Sequence, residues 1–477
     1  MTNTQIHTPY HRTEIRGFTA ILAGAFALRL YHVNAPPIDF QSWRESYTLM
    51  VARNFFRHGF NPFFPRVDFR LGADLPETNV VAATELMVTP YLTALLYTVL
   101  GTGFWVNRVV PIFFSLFGLI YFYRLVRRFD GPHTAITAAA LLAVSPYYLY
   151  CGRSQMPEAF VFAMSFAALF HYDAWLDRNR WIDFLVAATA CVLMIVGKPH
   201  LGVMAVPMAY LTFHRPGLRA FRDWRLYAFA ALVAAPCIAY VWWSFFELAS
   251  RSGVKDSSAV YFSHSRWLFN PEYYKKIRLS VWLWAVTPPV VVLGFVGIFR
   301  ARSGGRYALA WLSGALSFFF IVPGGAETNG YYQLILAPPM IVLASVAMTK
   351  GIEHSAKLVY ALRLAFVVVL VGGTAVYSVV TAYRMFQPLY ADDYLCGEWI
   401  RTHTPPEAMV LSASPNPTML YLADRVGWTS FPKSWGIEPQ LNAEFIDAVG
   451  RNGATVLGIP YRYFDDGTYE DFNDLRD

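Results

Sequence analysis

Long apolar runs separated by short polar turns fill the first 380 residues, and each approaches the ~20 residues a helix needs to cross a bilayer. They predict membrane helices over 17–33, 106–126, 134–150, 158–176, 181–197, 200–213, 226–244, 281–299, 307–322, 333–349 and 358–380, with 200–213 the shortest. One further stretch, TELMVTPYLTALLYTVL (84–100), is apolar enough to span. Thr84, Glu85 and Pro90 at its start predict instead an amphipathic helix in the outer interface or packed on the bundle. The first apolar run begins near Phe18, has no small-residue cleavage signature, and is expected to stay as a signal anchor.

After Val380 the pattern turns polar. It predicts a helix over 391–403, a strand AMVLSA (408–413), an amphipathic helix over 440–452 and a strand ATVLGI (454–459). The expected fold is thus an α-helical polytopic membrane protein of about eleven transmembrane helices, with a small C-terminal α/β domain. The division is a membrane domain over 1–380, with a first outer loop at 34–105, and a soluble domain over 381–477. A second long loop is expected over 245–280.

Basic residues orient these elements. Arg12 and Arg16 precede the first run, and alternate loops carry Arg124, Arg127 and Arg128; Arg178 and Arg180; Arg215, Arg219, Arg222 and Arg225; Arg300, Arg302 and Arg306; Lys350 and Lys357. The remaining short turns hold only Arg153 and Lys198. This alternation predicts a cytoplasmic N-terminus and an extracytoplasmic C-terminal domain. If 84–100 spanned, every later loop would reverse and the arginine clusters would face outward. Composition agrees: 56% of residues are hydrophobic, 17% aromatic and 15% charged, against about 25% charged in a soluble chain. The formal charge of +7 is carried at helix ends, a topology signal that does not call for nucleic acid as a partner. Cys151, Cys191, Cys237 and Cys396 are scattered, and with no CxxC or HExxH pattern they indicate neither a disulfide frame nor a thiolate metal site.

On this topology the chemically interesting residues collect on one side. The first outer loop reads IDFQSWRESYTLMVARNFFRHGFNPFFPRVDFR (38–70), holding Asp39, Arg44, Glu45, Arg53 and Arg57. Glu85 follows, then CGRSQMPE with Arg153 and Glu158, GKPH with Lys198 and His200, and AETNGYYQ with Glu327, Tyr331 and Tyr332. Charges at a bilayer boundary are costly unless paired or used. Clustered cations suit a phosphate headgroup, and a nearby carboxylate suits proton abstraction. Plainer readings stand beside these. Arg53, Arg57 and Arg153 can snorkel to lipid phosphates, Glu85 and Glu158 can favour helix N-termini, and Tyr331–Tyr332 can anchor the interface.

The runs WRESYTLMVARNFFRHGFNPFFPRVD, TELMVTPYLTALLY, SPYYLYCGRSQMPE, GKP and GYYQLILAPP resemble, in order, landmarks of glycosyltransferase family 39. That family includes protein O-mannosyltransferases and the bacterial aminoarabinose transferases, within the GT-C superfamily. The resemblance covers about the first 350 residues. It implies transfer of a sugar from a polyprenyl-phosphate carrier at the outer face of a bacterial inner membrane. It also implies a first-loop carboxylate as base and cations on the lipid phosphate. Glu85 matches the family's second loop carboxylate and Lys198 its helix-end lysine. Where the family has adjacent acidic residues, this chain has Arg44–Glu45, so the base is either Asp39 or Glu45.

The expectation is an inverting GT-C glycosyltransferase. Asp39 or Glu45 is the base, Arg53, Arg57, Arg153, Lys198, Tyr331 and Tyr332 hold the donor phosphate, and Glu85 and Glu158 are second carboxylates. No cofactor is required; Asp39 and Glu85 are the pair that could hold a divalent cation. The partners are membrane lipids, the polyprenyl-phosphate-linked sugar and an acceptor (lipid, glycan or protein). The alternatives are a lipid-linked-sugar flippase, which should carry polar residues at mid-membrane, and a non-catalytic carrier-binding subunit.

Overall fold

The computed structural model describes residues 9–70, 72–73, 81–82, 85–215, 217–248, 254–255, 267–301, 305–350, 357–431 and 439–461. Parts of the expected loop over 245–280 and the end of the tail lie outside them. The helices of the first half are α1 (Pro9–Arg29), α2 (Ser42–His58), α3 (Val88–Leu100), α4 (Phe104–Asp130), α5 (Pro132–Val144), α6 (Pro146–Cys151), α7 (Glu158–Arg178), α8 (Trp181–Gly197), α9 (Ala205–His214) and α10 (Trp224–Trp242). They are followed by α11 (Pro271–Ser280), α12 (Pro288–Arg300), α13 (Arg306–Ile321), α14 (Pro323–Thr328), α15 (Ala337–Thr349) and α16 (Lys357–Met385).

Among the described residues, five helices are long and apolar enough to cross a membrane: 104–130, 158–178, 224–248, 330–349 and 364–385. A sixth arises if 271–285 and 288–300, which meet at a bend of 100°, count as one span. Shorter apolar helices at 88–100, 132–144, 181–197 and 306–321 accompany them, so several of the expected runs are helices too short to meet that length test. The reason is local chemistry. Proline cannot donate to the helix ladder and disfavours helical backbone before it. Pro146 splits the run 134–150 at Ser145, Pro199 and Pro207 leave only a 3₁₀ turn and the ten-residue α9, and Pro288–Pro289 follow the bend. The segment 84–100 yields the 13-residue α3, too short to span, as the expectation of a non-spanning helix requires.

The 330–349 segment is central, with 94% of its span window buried, while the windows of α10 and α16 are only 17% buried and present apolar side chains outward. α12 packs on α15 at very short range. A Cβ on Gly297 would lie 2.0 Å from the carbonyl oxygen of Leu343, so glycine lets the two backbones touch.

The tail contributes α17 (Ala391–His403), β4 (Met409–Ser412), α18 (Thr418–Ala423), β5 (Gly427–Thr429), α19 (Ala443–Arg451) and β6 (Ala454–Gly458). These numbers follow β1 (Phe69–Arg70), β2 (Val81–Ala82) and β3 (Val254–Lys255). The four expected elements are present; α18 and β5 are additional. The sheet is parallel, in the order β1-β5-β4-β6, so its edge strand comes from the first loop. Val410 pairs with Gly427 so closely that a Cβ at Gly427 would sit 1.8 Å from the Val410 carbonyl oxygen. Tyr47, Met50, Val51 and Phe55 of α2 share one buried core with Ile400, Val410, Met419 and Leu420 of the tail. The 381 boundary drawn from composition thus runs through a shared core: loop and tail form one cap.

Candidate active site

Asp39 lies in the turn between α1 and α2 and is buried. The Tyr150 hydroxyl donates to its Oδ1, and Arg153 Nη2 donates to its Oδ2 at 2.8 Å. Arg153 is also fully buried, and its Nη1 donates to the carbonyls of Tyr31 and His32 at 2.7 and 2.9 Å. Pro146 makes this possible: by starting the short α6 it places Tyr150 and Arg153 beneath the chain as it leaves α1. Glu45, in the first turn of α2, is fully buried and paired with Arg108 of α4. Its Oε1 accepts from the Gln155 backbone N–H at 3.1 Å, and its Oε2 has no hydrogen-bond partner.

Lys198 closes the second half of the cluster. It caps the end of α8, where Pro199 stops the helix, and Nζ lies 3.3 Å from Glu85 Oε2 and 3.2 Å from Glu158 Oε1. It donates to the Tyr332 hydroxyl at 3.2 Å and sits 4.3 and 5.4 Å from the ring centres of Tyr332 and Tyr331. Burial, the largest single influence, would lower the lysine's pKa, but Glu158, Tyr332 and Tyr331 together outweigh it and hold the ammonium above its ordinary value. Arg44 pairs with Glu85 and also lies in the field of Glu158. Neither glutamate acts as a side-chain cap: Glu85 precedes α3, and α7 has no side-chain cap bond. Four carboxylates (Asp39, Glu45, Glu85, Glu158) thus face four cations (Arg44, Arg108, Arg153, Lys198), and the cluster is neutral as it stands.

The sequence-predicted residues divide accordingly. Asp39, Glu45, Glu85, Glu158, Lys198, Tyr331 and Tyr332 stand at one end of the bundle, beside the cap. Arg153 stands there too, but its guanidinium is consumed by Asp39 and two carbonyls, so it braces the site and is not free for a headgroup. Arg53 and Arg57 are turned elsewhere. Arg53 pairs with Asp68 at 2.6 Å and Asp424 at 2.8 Å, and Arg57 pairs with Asp424 at 2.7 Å. His200 stacks beside Tyr332 at 4.6 Å between ring centres, while Glu327 pairs with the exposed Lys276. Asp39 and Glu85 are each engaged by cations, and among the described residues no three His, Cys, Asp or Glu side chains converge as a metal site.

Arg108 and Tyr150 were missed. An arginine inside FWVNRVVPIFF is an ionisable residue in an apolar helix, a signal by itself; Tyr150 had no comparable signal.

The comparisons with known proteins bear on this arrangement. Residues 85–243 match the family described as dolichyl-phosphate-mannose-protein mannosyltransferase. The fold is similar to that of ArnT from Cupriavidus metallidurans in the apo state, with TM-score 0.66 and 14% identity, over 96% of this chain and 94% of that one. The likeness is one of fold. It extends to ArnT from the same organism bound to undecaprenyl phosphate (TM-score 0.60, 14% identity, 96% and 94% covered). It also extends to the Archaeoglobus fulgidus oligosaccharyltransferase in the apo form (TM-score 0.63, 11% identity, 92% of this chain and 69% of that one). No curated protein matches by sequence. The expected family is the one whose stretch matches, and a multi-pass membrane protein follows from fold and apolar helices together. Arg44–Glu45 precedes residue 85, so the departure from the family's acidic pair lies outside the matched stretch.

Proposed function

We propose that the chain is an inverting glycosyltransferase that moves a sugar from a polyprenyl-phosphate carrier to an acceptor hydroxyl at the outer face of a bacterial inner membrane. The observation that carries this reading is Lys198, charged and buried among Glu85, Glu158 and Tyr332 at the same end of the bundle as two further buried carboxylates. Lys198 and Arg44 take the carrier phosphate. Asp39 or Glu45 takes the acceptor proton as the acceptor oxygen bonds to the anomeric carbon. The bond from that carbon to the phosphate oxygen breaks, and the phosphate leaves with the electron pair, its charge stabilised by the cations. The flippase alternative loses ground, because the polar residues gather at one end, unlike a mid-membrane transport site.

The test is purified protein in nanodiscs with a radiolabelled polyprenyl-phosphate sugar and an envelope extract as acceptor. Label leaving the carrier and appearing on an acceptor supports transfer. Label that crosses the bilayer still attached to lipid indicates a flippase, and label that only binds indicates a carrier-binding subunit.

A further inference from the structure

A cavity of about 310 Å³ opens between the first loop, the α3–α4 turn and the tail. That is the lower end of the range for small-molecule sites. Arg53, Arg57, Asn107, Arg401, Tyr421 and Asp424 line it, together with Phe104 and Glu398. None of the charge-transfer roles above uses it. Its cations are all matched: Arg53 by Asp68 and Asp424, Arg57 by both oxygens of Asp424, and Arg401 by Glu398 at 2.6 Å. The lining thus presents paired charges side by side. Fixed guanidinium donors beside fixed carboxylate acceptors suit vicinal hydroxyls, each of which both donates and accepts. Phe104 and Tyr421 add aromatic surface against which the C–H face of a sugar ring can lie.

The cavity also stands in register with the carboxylates. Arg53 follows Glu45 by eight residues (53 − 45) on the same helix, which places it ~12 Å further along. On the opposite wall, Asn107 is the neighbour of Arg108, the partner of Glu45. We propose that this cavity is a subsite for a neutral saccharide, and that the acceptor is a glycan or glycan-bearing lipid. Its distal sugar sits here while a hydroxyl further along reaches Asp39 or Glu45. The acceptor role rests on the transferase reading; saccharide binding does not.

The experiment uses the full chain in nanodiscs. The probe is the oligosaccharide pool released by mild acid from the source organism's envelope glycolipids, beside a tryptic peptide pool from its envelope proteins, with bound material identified by mass spectrometry. Thr102→Trp fills the cavity from an exposed turn, and Arg401→Ala removes a half-exposed lining cation. Saccharide retention should fall about tenfold or more in each, the scale of a lost charge-assisted contact, and persist in Lys198→Ala. Absence of saccharide retention, retention unchanged in Thr102→Trp, or capture of peptides instead overturns the proposal. Saccharide retention without any cleavage of the labelled carrier would reject the transferase reading and leave the subsite standing.

Discussion

The hydroxyl of Thr418, in the tail, lies 2.6 Å from that of Ser42, the first residue of α2, with both side chains fully buried. Asn416 closes the arrangement. Its Oδ1 can only accept, so Thr418 donates to it at 2.6 Å, and its Nδ2 donates to Ser42 Oγ at 2.7 Å. Ser42 and Ser46, at 2.6 and 2.8 Å, are left to donate to Thr418. Phe40 N–H donates to the Met385 carbonyl and Tyr390 N–H to that of Ile38, so the end of α16 and the start of the tail grip both sides of Asp39.

The tail is therefore not a removable appendage. Thr418→Val keeps the shape but removes the acceptor of the buried Ser42 and Ser46 hydroxyls, at about 1–3 kcal/mol each. The expected result is a lower melting temperature and lower turnover, followed by thermal unfolding and transfer in parallel. Deleting 387–477 should expose the core that α2 shares with Val410 and Leu420, giving protein that aggregates or is degraded. A truncated chain that stayed monodisperse and active would contradict the shared core.

How much of this was legible depended on the range of the interactions. The helices at 158–178 and 391–403 follow from local periodicity, and both stand where their residues predict. Gathering Asp39, Glu85, Glu158 and Lys198 needed only loop charge alternation. The cap was not legible, because Phe69–Arg70 is a two-residue strand whose partner, Gly427–Trp428, lies more than 350 residues later. No periodicity reports such pairing. The shared partner of Arg53 and Arg57 escaped for the same reason: Asp424 belongs to the tail.

Orientation can be checked directly. Arg127 with Glu14, and Arg128 and Arg215 with the buried Asp173, tie the basic turns into ion-paired clusters. Reporter fusions after Arg128, Arg225 and Arg306 should give cytoplasmic signals, and fusions after Gly152, Gly325 and Tyr390 extracytoplasmic ones. An external signal after Arg128 would invert the bundle and place the carboxylate cluster in the cytoplasm.

Lys198 and Glu158 should respond in opposite directions. The cluster is neutral, so a carrier phosphate must compete with Glu85 and Glu158 for Lys198. Lys198→Ala should weaken binding of undecaprenyl phosphate by about 10- to 100-fold, the worth of one or two charge-assisted hydrogen bonds. Glu158→Gln should tighten it, because a competing charge is gone. Fluorescence competition in nanodiscs measures both. Weaker binding in both variants would mean that the ion pair itself forms the site and no exchange occurs.

Asp39 and Glu45 separate by what each loses on neutralisation. Asp39→Asn keeps an oxygen for one partner but breaks the buried pair with Arg153, leaving a guanidinium without its counter-charge, a change that typically costs about 3–5 kcal/mol. Glu45→Gln likewise strips Arg108 of its partner, so both variants should melt earlier, and stability alone cannot identify the base. Turnover per folded molecule can. The residue that takes the acceptor proton should lose ~10²–10⁴-fold in that measure, while its companion, acting through position, should lose far less and recover in part when the cluster is re-stabilised by carrier lipid. Asp39 sits where the chain leaves α1, with both oxygens engaged. Glu45 keeps Oε2 free, which a base requires before it can accept a proton. Rates normalised to folded protein, with undecaprenyl phosphate binding measured alongside, assign the role. If both variants turn over at the wild-type rate per folded molecule, proton abstraction by either carboxylate is excluded.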